Sequence, residues 1–147
     1  MNNCNLLVII VTYNAMQWIE RCLESVKKSS VVSDVFIVDN GSTDGTQDYI
    51  KVNYPEFIFI QSEKNLGFGK ANNIGLKYAS EREYDYIYLL NQDAWVKNDT
   101  FAKLIDIHKL FPKYGVLSPI QMQANEQYMD VNFVKNVCAY ENCNKFI

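Results

Sequence analysis

Short, wholly apolar runs alternate along the chain with segments whose apolar residues recur at helical spacing. The first run, residues 6–11, is apolar at every position, which is typical of a strand covered on both faces of a sheet. Further apolar runs predict four more strands, of which the last is weak: residues 35–38, 57–60, 86–90 and 116–118. Turn-forming residues separate the runs, so the chain is predicted to reverse direction repeatedly.

A helix is predicted after each of the first four strands, because apolar residues recur there at intervals of three and four. Asn14 is expected to cap the first helix, with Gln17 as its capping-box partner. A serine or threonine is expected to open the second helix, over residues 43–52, and Asp99 or Thr100 to cap the fourth. The positions predicted to face the sheet are Ile19, Cys22, Leu23 and Val26; Ala71, Ile74, Gly75 and Tyr78; and Phe101, Leu104, Ile105 and Phe111.

This alternation predicts the α/β class, with a mostly parallel sheet flanked by helices on both faces. In such sheets a ligand binds beyond the carboxyl ends of the strands, where the strand order changes direction. Polar segments follow three of the predicted strands, at residues 12–14, 39–42 and 91–93. We therefore expect these segments to meet at one edge of the sheet and to form a binding site.

The composition is that of one folded domain, since 48% of the 147 residues are hydrophobic and only 21% are charged. The net charge of -3 is poorly suited to a nucleic-acid backbone, so no nucleic-acid partner is expected. The cysteines, Cys4, Cys22, Cys138 and Cys143, are interpreted as reduced packing thiols. The first residues lack the basic region of a secretory signal, and the first apolar run is too short to span a bilayer. These features predict a cytoplasmic protein.

Several common types of site are excluded by the residues at the strand ends. A dinucleotide site would need a glycine-rich turn where this chain has Thr12, Tyr13 and Asn14. No phosphate-binding lysine motif and no Gly-x-Ser-x-Gly elbow occur, and the single histidine, His108, is interpreted as a structural residue of a helix. The remaining hydroxyls, amides and carboxylates suit a nucleotide whose phosphates are bridged by a divalent cation, with Asp93 as the metal ligand.

Four segments, in order, resemble the motifs of family 2 glycosyltransferases, and most closely those of the rhamnosyltransferase-like branch. They are residues 8–14 (VIIVTYN), 38–46 (VDNGSTDGT), 65–75 (NLGFGKANNIG) and 89–93 (LLNQD). The members of this family are inverting enzymes of the GT-A fold, so the resemblance implies a GT-A-like, Rossmann-type sheet. It covers roughly residues 5–120 and implies a single nucleotide-sugar-binding domain over residues 1–147.

The resemblance also implies a role for each matched position. The residues implied to bind the nucleotide sugar are Thr12, Tyr13, Asn14, Asp39, Gly41, Ser42, Lys70, Asn73, Asn91 and Gln92. Asp39 would accept a hydrogen bond from the base or ribose, and Ser42 would cap the helix beside it. Asp93 ends the segment that replaces the family's Asp-x-Asp motif, and it would hold Mg²⁺ or Mn²⁺. Structural alternatives remain open, such as a turn former at Asp39 or a loop cap at Asp93.

By this resemblance, the protein transfers a sugar from a nucleoside diphosphate donor to a hydroxyl of a saccharide or lipid-linked saccharide acceptor. The expected setting is cell-surface polysaccharide or lipopolysaccharide synthesis, in the cytoplasm or at the inner face of the membrane. A carboxylate base would deprotonate the acceptor, and the metal would offset the charge on the leaving diphosphate. Two alternatives remain: a nucleotide-binding domain without turnover, and a sugar nucleotidyltransferase.

Two features depart from the family pattern. Asn91 replaces the first acidic residue of the metal motif, so the site is expected to bind metal weakly without nucleotide. Glu126, Asp130 and Glu141 are the acidic residues after residue 120, and none has the surroundings of the family's general base. The catalytic base is therefore not identified, and the domain is interpreted as incomplete at its C-terminal end. An exposed sheet edge would then favour a homo-oligomer.

Overall fold

The computed structural model describes residues 4–138, with side chains up to residue 135. Four strands and the helices between them confirm the predicted α/β class. In chain order, the elements are β1 (Leu6–Thr12), α1 (Ile19–Lys27), β2 (Asp34–Asp39), α2 (Thr46–Asn53), β3 (Ile58–Gln61), α3 (Phe68–Ser80), β4 (Tyr86–Asn91), α4 (Thr100–Leu110) and α5 (Val131–Cys138).

The strands lie in the order β3-β2-β1-β4, and every neighbouring pair is parallel. The chain runs outward from β1 through β2 to β3 and then crosses to the other side of β1 to form β4. The strand order therefore changes direction between β1 and β4. In an open α/β sheet, this is the place where the loops separate and leave a crevice for a ligand.

β1 is the central strand, and it is buried along its whole length because helices cover both faces of the sheet. Alternate residues Leu6, Val8 and Ile10 lie in a cluster with the buried stripe of α1, which is the stripe predicted from the sequence. The residues between them face the opposite side and lie in a second cluster with α3. A continuous apolar run is thus explained by burial on two faces.

The contact between α3 and β1 depends on Gly75, which is buried in the middle of α3. A Cβ atom at this position would lie 2.7 Å from Cγ2 of Ile9 and 2.9 Å from its Cδ1. Both distances are far below van der Waals contact, so a larger residue would force the helix and the strand apart. The absence of a side chain lets α3 lie close against the centre of the sheet.

Two predictions made for the region after β4 are wrong. Residues 116–118, predicted as a fifth strand, form no strand, and Val116 is 89% exposed. The run is short and is followed at once by Pro119, which has no N–H for a strand ladder. Phe111, predicted to face inward, is 49% exposed because α4 already ends at Leu110.

The starts of the first two helices also differ from the prediction. Asn14 does not cap α1: it has a φ of +50°, and the helix begins at Ile19, five residues later. α2 is opened by Gly45 rather than by a serine or threonine, so Ser42 does not cap it. In both cases the polar side chains bind neighbouring loops instead of their own helix, which sequence periodicity does not reveal.

The chain divides after Ala102 into two compact units. The first contains the sheet with α1, α2 and α3, and the second begins within α4. In the second unit, Met122 and Met129 form an antiparallel bridge, and the Asp130 carboxylate caps α5 by accepting the N–H groups of Asn132 and Phe133. No helix within residues 4–138 is long and apolar enough to cross a bilayer.

The cysteine predictions are tested in part. Cys4 and Cys22 are free thiols, and Cys22 is buried, as predicted. The side chain of Cys138, at the end of α5, and the whole of Cys143 lie outside the described residues.

Candidate functional site

The polar ends of β1, β2 and β4 lie side by side, as the sequence predicts. Thr12 pairs with Asp39 across β1 and β2, and Val11 pairs with Asn91 across β1 and β4. The hydroxyl of Thr12 donates a hydrogen bond of 2.9 Å to Oδ1 of Asp39. Three loops therefore start from neighbouring points on one edge of the sheet.

Asp39 is fully buried, and its carboxylate accepts four hydrogen bonds from the protein itself. Oδ1 accepts the hydroxyls of Thr12 and Ser42, and Oδ2 accepts the N–H groups of Gly41 and Ser42 at 3.1 and 2.9 Å. Gly41 has a φ of +81°, a conformation that favours glycine. Asp39 thus shapes the loop after β2, in agreement with the alternative that it is a turn former. A contact between its carboxylate and a ligand stays a prediction.

The loop after β1 is held by side chains from other loops. Four consecutive backbone N–H groups, those of residues 13–16, each donate to such a side chain. The acceptors are Gln92 Oε1, Ser42 Oγ, Thr46 Oγ1 and Asp44 Oδ2, at 2.7 to 3.0 Å. Asn14 completes the network, because its Oδ1 accepts the N–H of Thr43 at 2.8 Å. The first two sequence motifs therefore form one rigid unit.

Asp44 is an exposed member of this network. Slight burial raises the pKa of its carboxyl, but hydrogen bonds from the Thr46 hydroxyl and from the N–H groups of Met16 and Thr46 outweigh that effect. The net result is a pKa below the ordinary value of 3.8. Asp44 is therefore kept ionised by the loop that it holds.

The turn after β4 carries Asp93 and is held on two sides. Gln92 bonds the backbone of Tyr13 through both ends of its amide group. On the other side, the Cys22 thiol donates to the carbonyl oxygen of Asn91 at 3.6 Å. Burial, and next the negative charge of Asp93, raise the pKa of this thiol to about 12. Cys22 is therefore a protonated donor and not a nucleophile.

An open cleft of about 430 Å³ lies between these loops. Its lining residues are Val11, Tyr13, Asn40, Asn65, Phe68, Asn91, Gln92 and Asp93. The sequence prediction includes Tyr13, Asn91, Gln92 and Asp93, but it misses Val11, Asn40, Asn65 and Phe68. All four missed residues lie in the motifs at residues 8–14, 38–46 and 65–75, and for three of them the available signal was an amide or aromatic side chain within the motif.

The other predicted residues do not line the cleft. Thr12, Asp39 and Ser42 are buried, where they support the loop between β2 and α2. Asn14 is hydrogen-bonded to the same loop, through its N–H to Ser42 and through its side chain to Thr43. Lys70 and Asn73 are exposed on α3 and lie outside the lining. Their proposed contacts with the nucleotide therefore stay predictions.

The donor groups at the cleft fit a magnesium or manganese ion that a ligand helps to bind. Asp93 is exposed and supplies one carboxylate, next to the side chain of Asn91. Among the side chains of residues 4–135, no group of three or more from His, Cys, Asp or Glu could hold a metal alone. Mg²⁺ commonly binds through one or two carboxylates together with substrate phosphates, and Mn²⁺ accepts the same oxygen ligands. The site matches that pattern.

Comparison with known sequences matches one family model and several relatives. The model of glycosyl transferase family 2 matches residues 7–129. The chain is 32% identical over 114 residues to the poly-beta-1,6-N-acetyl-D-glucosamine synthase of Staphylococcus aureus (strain COL), covering 75% of this chain and 27% of that protein. It is also 32% identical to the teichoic acid poly(glycerol phosphate) polymerase of Staphylococcus epidermidis, covering 97% of this chain and 20% of that protein. The chain thus spans less than a third of these relatives.

Solved structures show the same fold. The S. aureus TarS 1-349 structure in complex with UDP-GlcNAc superposes with a TM-score of 0.64 at 23% identity, covering 81% of this chain and 38% of the TarS 1-349 chain. The mannosyltransferase PcManGT of Pyrobaculum calidifontis, in complex with GDP-Man and Mn2+, gives a TM-score of 0.63 at 25% identity. That match covers 71% of this chain and 32% of PcManGT. The parallel sheet flanked by helices is therefore of the GT-A type.

Proposed function

The chain belongs to glycosyl transferase family 2, and on this premise we propose that its cleft binds a nucleoside diphosphate sugar. The sugar would pass to a hydroxyl of a saccharide or lipid-linked saccharide during cell-surface polysaccharide synthesis, with inversion at the anomeric carbon. The two curated relatives have names that fit a cell-surface polymer. A rhamnosyl donor and a cytoplasmic location stay predictions from the sequence.

The observation that carries this proposal is the position and chemistry of the cleft. It lies at the switch point of the sheet and combines two aromatic side chains with asparagine amides and a single carboxylate. Tyr13 and Phe68 offer flat surfaces to a base, and both are about half exposed, at 47% and 57%. Asn40 and Asn65 offer amide groups that can recognise the polar edge of a base or ribose. No lysine or arginine lines the cleft, so the diphosphate charge requires a cation.

We assign the cation to Asp93, with Asn91 beside it. When bound, Mg²⁺ or Mn²⁺ would act as a Lewis acid that offsets the negative charge on the leaving diphosphate. The residues of the chain would bind and orient the donor: Tyr13 and Phe68 would contact the base, and Asp93 would hold the metal that binds the diphosphate. The neighbours whose structures contain UDP-GlcNAc, or GDP-Man with Mn2+, support this assignment.

The first test is a thermal-shift titration of the purified 147-residue chain with UDP, dTDP, GDP, CDP and ADP, each with and without Mn²⁺. A ligand at one hundred times its Kd stabilises the native state by about 2.7 kcal/mol, which raises the Tm by several degrees. We expect one or two of these nucleotides to stabilise the chain, and to do so more strongly with Mn²⁺. No shift with any nucleotide would refute the proposed donor site.

The matched variants are Asp93→Asn and Asp48→Asn, each of which removes one exposed carboxylate. Asp93 lines the cleft, whereas Asp48 lies on the exposed face of α2. We expect the effect of Mn²⁺ on nucleotide binding to disappear only in Asp93→Asn, while the Tm without ligand stays the same. An unchanged effect of Mn²⁺ in Asp93→Asn would remove Asp93 from the metal site.

A further inference from the structure

The segment over residues 91–96 carries Asp93, and side chains from within the segment and from α1 hold it in place. On one side, Gln92 bonds the loop after β1, and on the other, residues of α1 bond both ends of the segment. A site with only one carboxylate cannot rely on a second one to orient the metal. The position of this segment therefore matters more than in a site with several acidic ligands.

Gln92 extends the ladder between β1 and β4 by means of its side chain. Backbone pairing of these strands ends at Val11 and Asn91. Beyond that pair, Oε1 of Gln92 accepts the N–H of Tyr13 at 2.7 Å, and Nε2 donates to the Tyr13 carbonyl oxygen at 3.2 Å. The side-chain amide thus replaces a backbone peptide in the ladder. Because both of its polar atoms are bonded to Tyr13, the orientation of the amide is fixed.

Helix α1 holds the same segment from the other side. The hydroxyl of Ser25 accepts the N–H of Val96 at 3.1 Å and donates to the carbonyl oxygen of Cys22 at 2.7 Å. The Cys22 thiol bonds the Asn91 carbonyl oxygen, and the Arg21 guanidinium lies 3.3 Å from the centre of the Trp95 ring. The first and last residues of the segment are therefore both fixed to α1, and Asp93 lies between them.

We propose that Gln92 and Ser25 are positioning residues of the donor site, which hold the turn so that Asp93 is presented to the metal in one conformation. This inference rests on the proposed function and assigns a role within the same site. The physical reason is entropic: ordering even one or two backbone residues on binding costs conformational entropy. A turn that is ordered in advance avoids that cost when the metal and nucleotide bind.

The hydrogen bonds made by Gln92 and Ser25 can be tested without any ligand, by amide hydrogen exchange measured with NMR on the full chain. Gln92→Met keeps the length of the side chain but removes its polar atoms, and Ser25→Ala removes the hydroxyl. We expect exchange at least tenfold faster for the Tyr13 N–H in Gln92→Met and for the Val96 N–H in Ser25→Ala. Unchanged exchange at these two amides would overturn the proposal.

The controls are chosen to match each change. Ser80 also donates to the carbonyl oxygen three residues earlier in its helix, at 2.8 Å, but among the described residues no N–H donates to its hydroxyl. Gln127 is an exposed glutamine of the second unit. Ser80→Ala and Gln127→Met should therefore leave the exchange of Tyr13 and Val96 as in the wild type.

The positioning role is tested by measuring nucleotide affinity in the wild type and in both variants by titration calorimetry, with and without Mn²⁺. The ligand is UDP, or whichever nucleotide stabilises the wild-type chain most in the thermal-shift titration. Losing one neutral hydrogen bond corresponds to about a fivefold change in affinity. In Ser25→Ala we expect a loss of about fivefold with Mn²⁺ and none without it. In Gln92→Met the loss with Mn²⁺ should exceed the loss without it.

The outcomes separate the two proposals. Faster amide exchange together with an unchanged effect of Mn²⁺ would overturn the positioning role but leave the donor site intact. Equal losses with and without Mn²⁺ in Gln92→Met would make Gln92 a direct nucleotide contact instead. If the wild-type chain itself shows no binding that depends on Mn²⁺, the donor-site proposal fails, and the positioning role fails with it.

Discussion

The buried carboxylate of Asp39 offers a direct test of how the site is held together. Asp39→Ala removes an acceptor that serves two hydroxyls and two backbone N–H groups. The hydroxyls of Thr12 and Ser42 can rotate toward other acceptors, but the N–H groups of Gly41 and Ser42 are fixed by the turn. The variant therefore leaves two orphaned amide donors in a buried or partly buried place.

Each orphaned donor costs about 1–3 kcal/mol, so we expect Asp39→Ala to lower the free energy of unfolding by about 2–6 kcal/mol. That is a large part of the 5–15 kcal/mol that is typical of a whole domain. Asp39→Asn should lose less, because its remaining oxygen can still accept both N–H groups. Urea unfolding followed by circular dichroism measures the loss as a shift of the midpoint at constant slope.

Asp44 is the matched control. Its carboxylate accepts three hydrogen bonds, from the Met16 N–H and from the N–H and hydroxyl of Thr46, but the residue is exposed. Water can reach the Asp44 side of these bonds, so Asp44→Ala should cost less than Asp39→Ala, about 1 kcal/mol. Equal losses in Asp39→Ala and Asp44→Ala would refute the claim that burial makes Asp39 indispensable to the loop.

Three further predictions concern packing, reactivity and pH. Gly75→Ala should destabilise the chain relative to Gly69→Ala by about 1–3 kcal/mol in urea unfolding, because of the two positions only Gly75 has no room for a Cβ. Equal stabilities of the two variants would contradict the close contact with Ile9. Alkylation at pH 8, located by mass spectrometry, should reach Cys22 at least a hundredfold more slowly in the native chain than in urea, because the thiol is buried and its pKa is about 12. The pKa of Asp44 is lowered in the folded state, so its stabilising effect is present above the unfolded value and is lost as the pH falls through the folded value. The urea midpoint should therefore fall more steeply below pH 4 in the wild type than in Asp44→Asn, and parallel curves would contradict this.

The sheet could be predicted from the sequence because short-range patterns of apolar residues encode it. The all-apolar run of β1 requires cover on both faces, and the helical stripe of α1 can face only inward. Their alternation leaves few topologies, and all of them bring the polar ends of parallel strands to one edge. The convergence of Thr12, Asp39 and Asn91 follows from that rule without knowledge of any loop.

The contacts of the loops could not be predicted from the sequence, because their polar side chains have several equivalent partners. Asn14 is a good helix cap by composition, yet its side chain binds Thr43, which lies 29 residues away in the sequence. The same holds for Gln92, whose amide could contact a ligand but bonds the backbone of Tyr13. Long-range hydrogen bonds of this kind decide which motif residues line the cleft and which ones support it.

The most direct test of the donor site is a crystal structure of the chain with the preferred nucleoside diphosphate and Mn²⁺, with anomalous scattering collected to locate the manganese. We predict one manganese peak next to the Asp93 carboxylate, with the diphosphate bound to it and the base between Tyr13 and Phe68. Manganese or nucleotide bound elsewhere, with the cleft at the carboxyl ends of the strands empty, would contradict the proposed site.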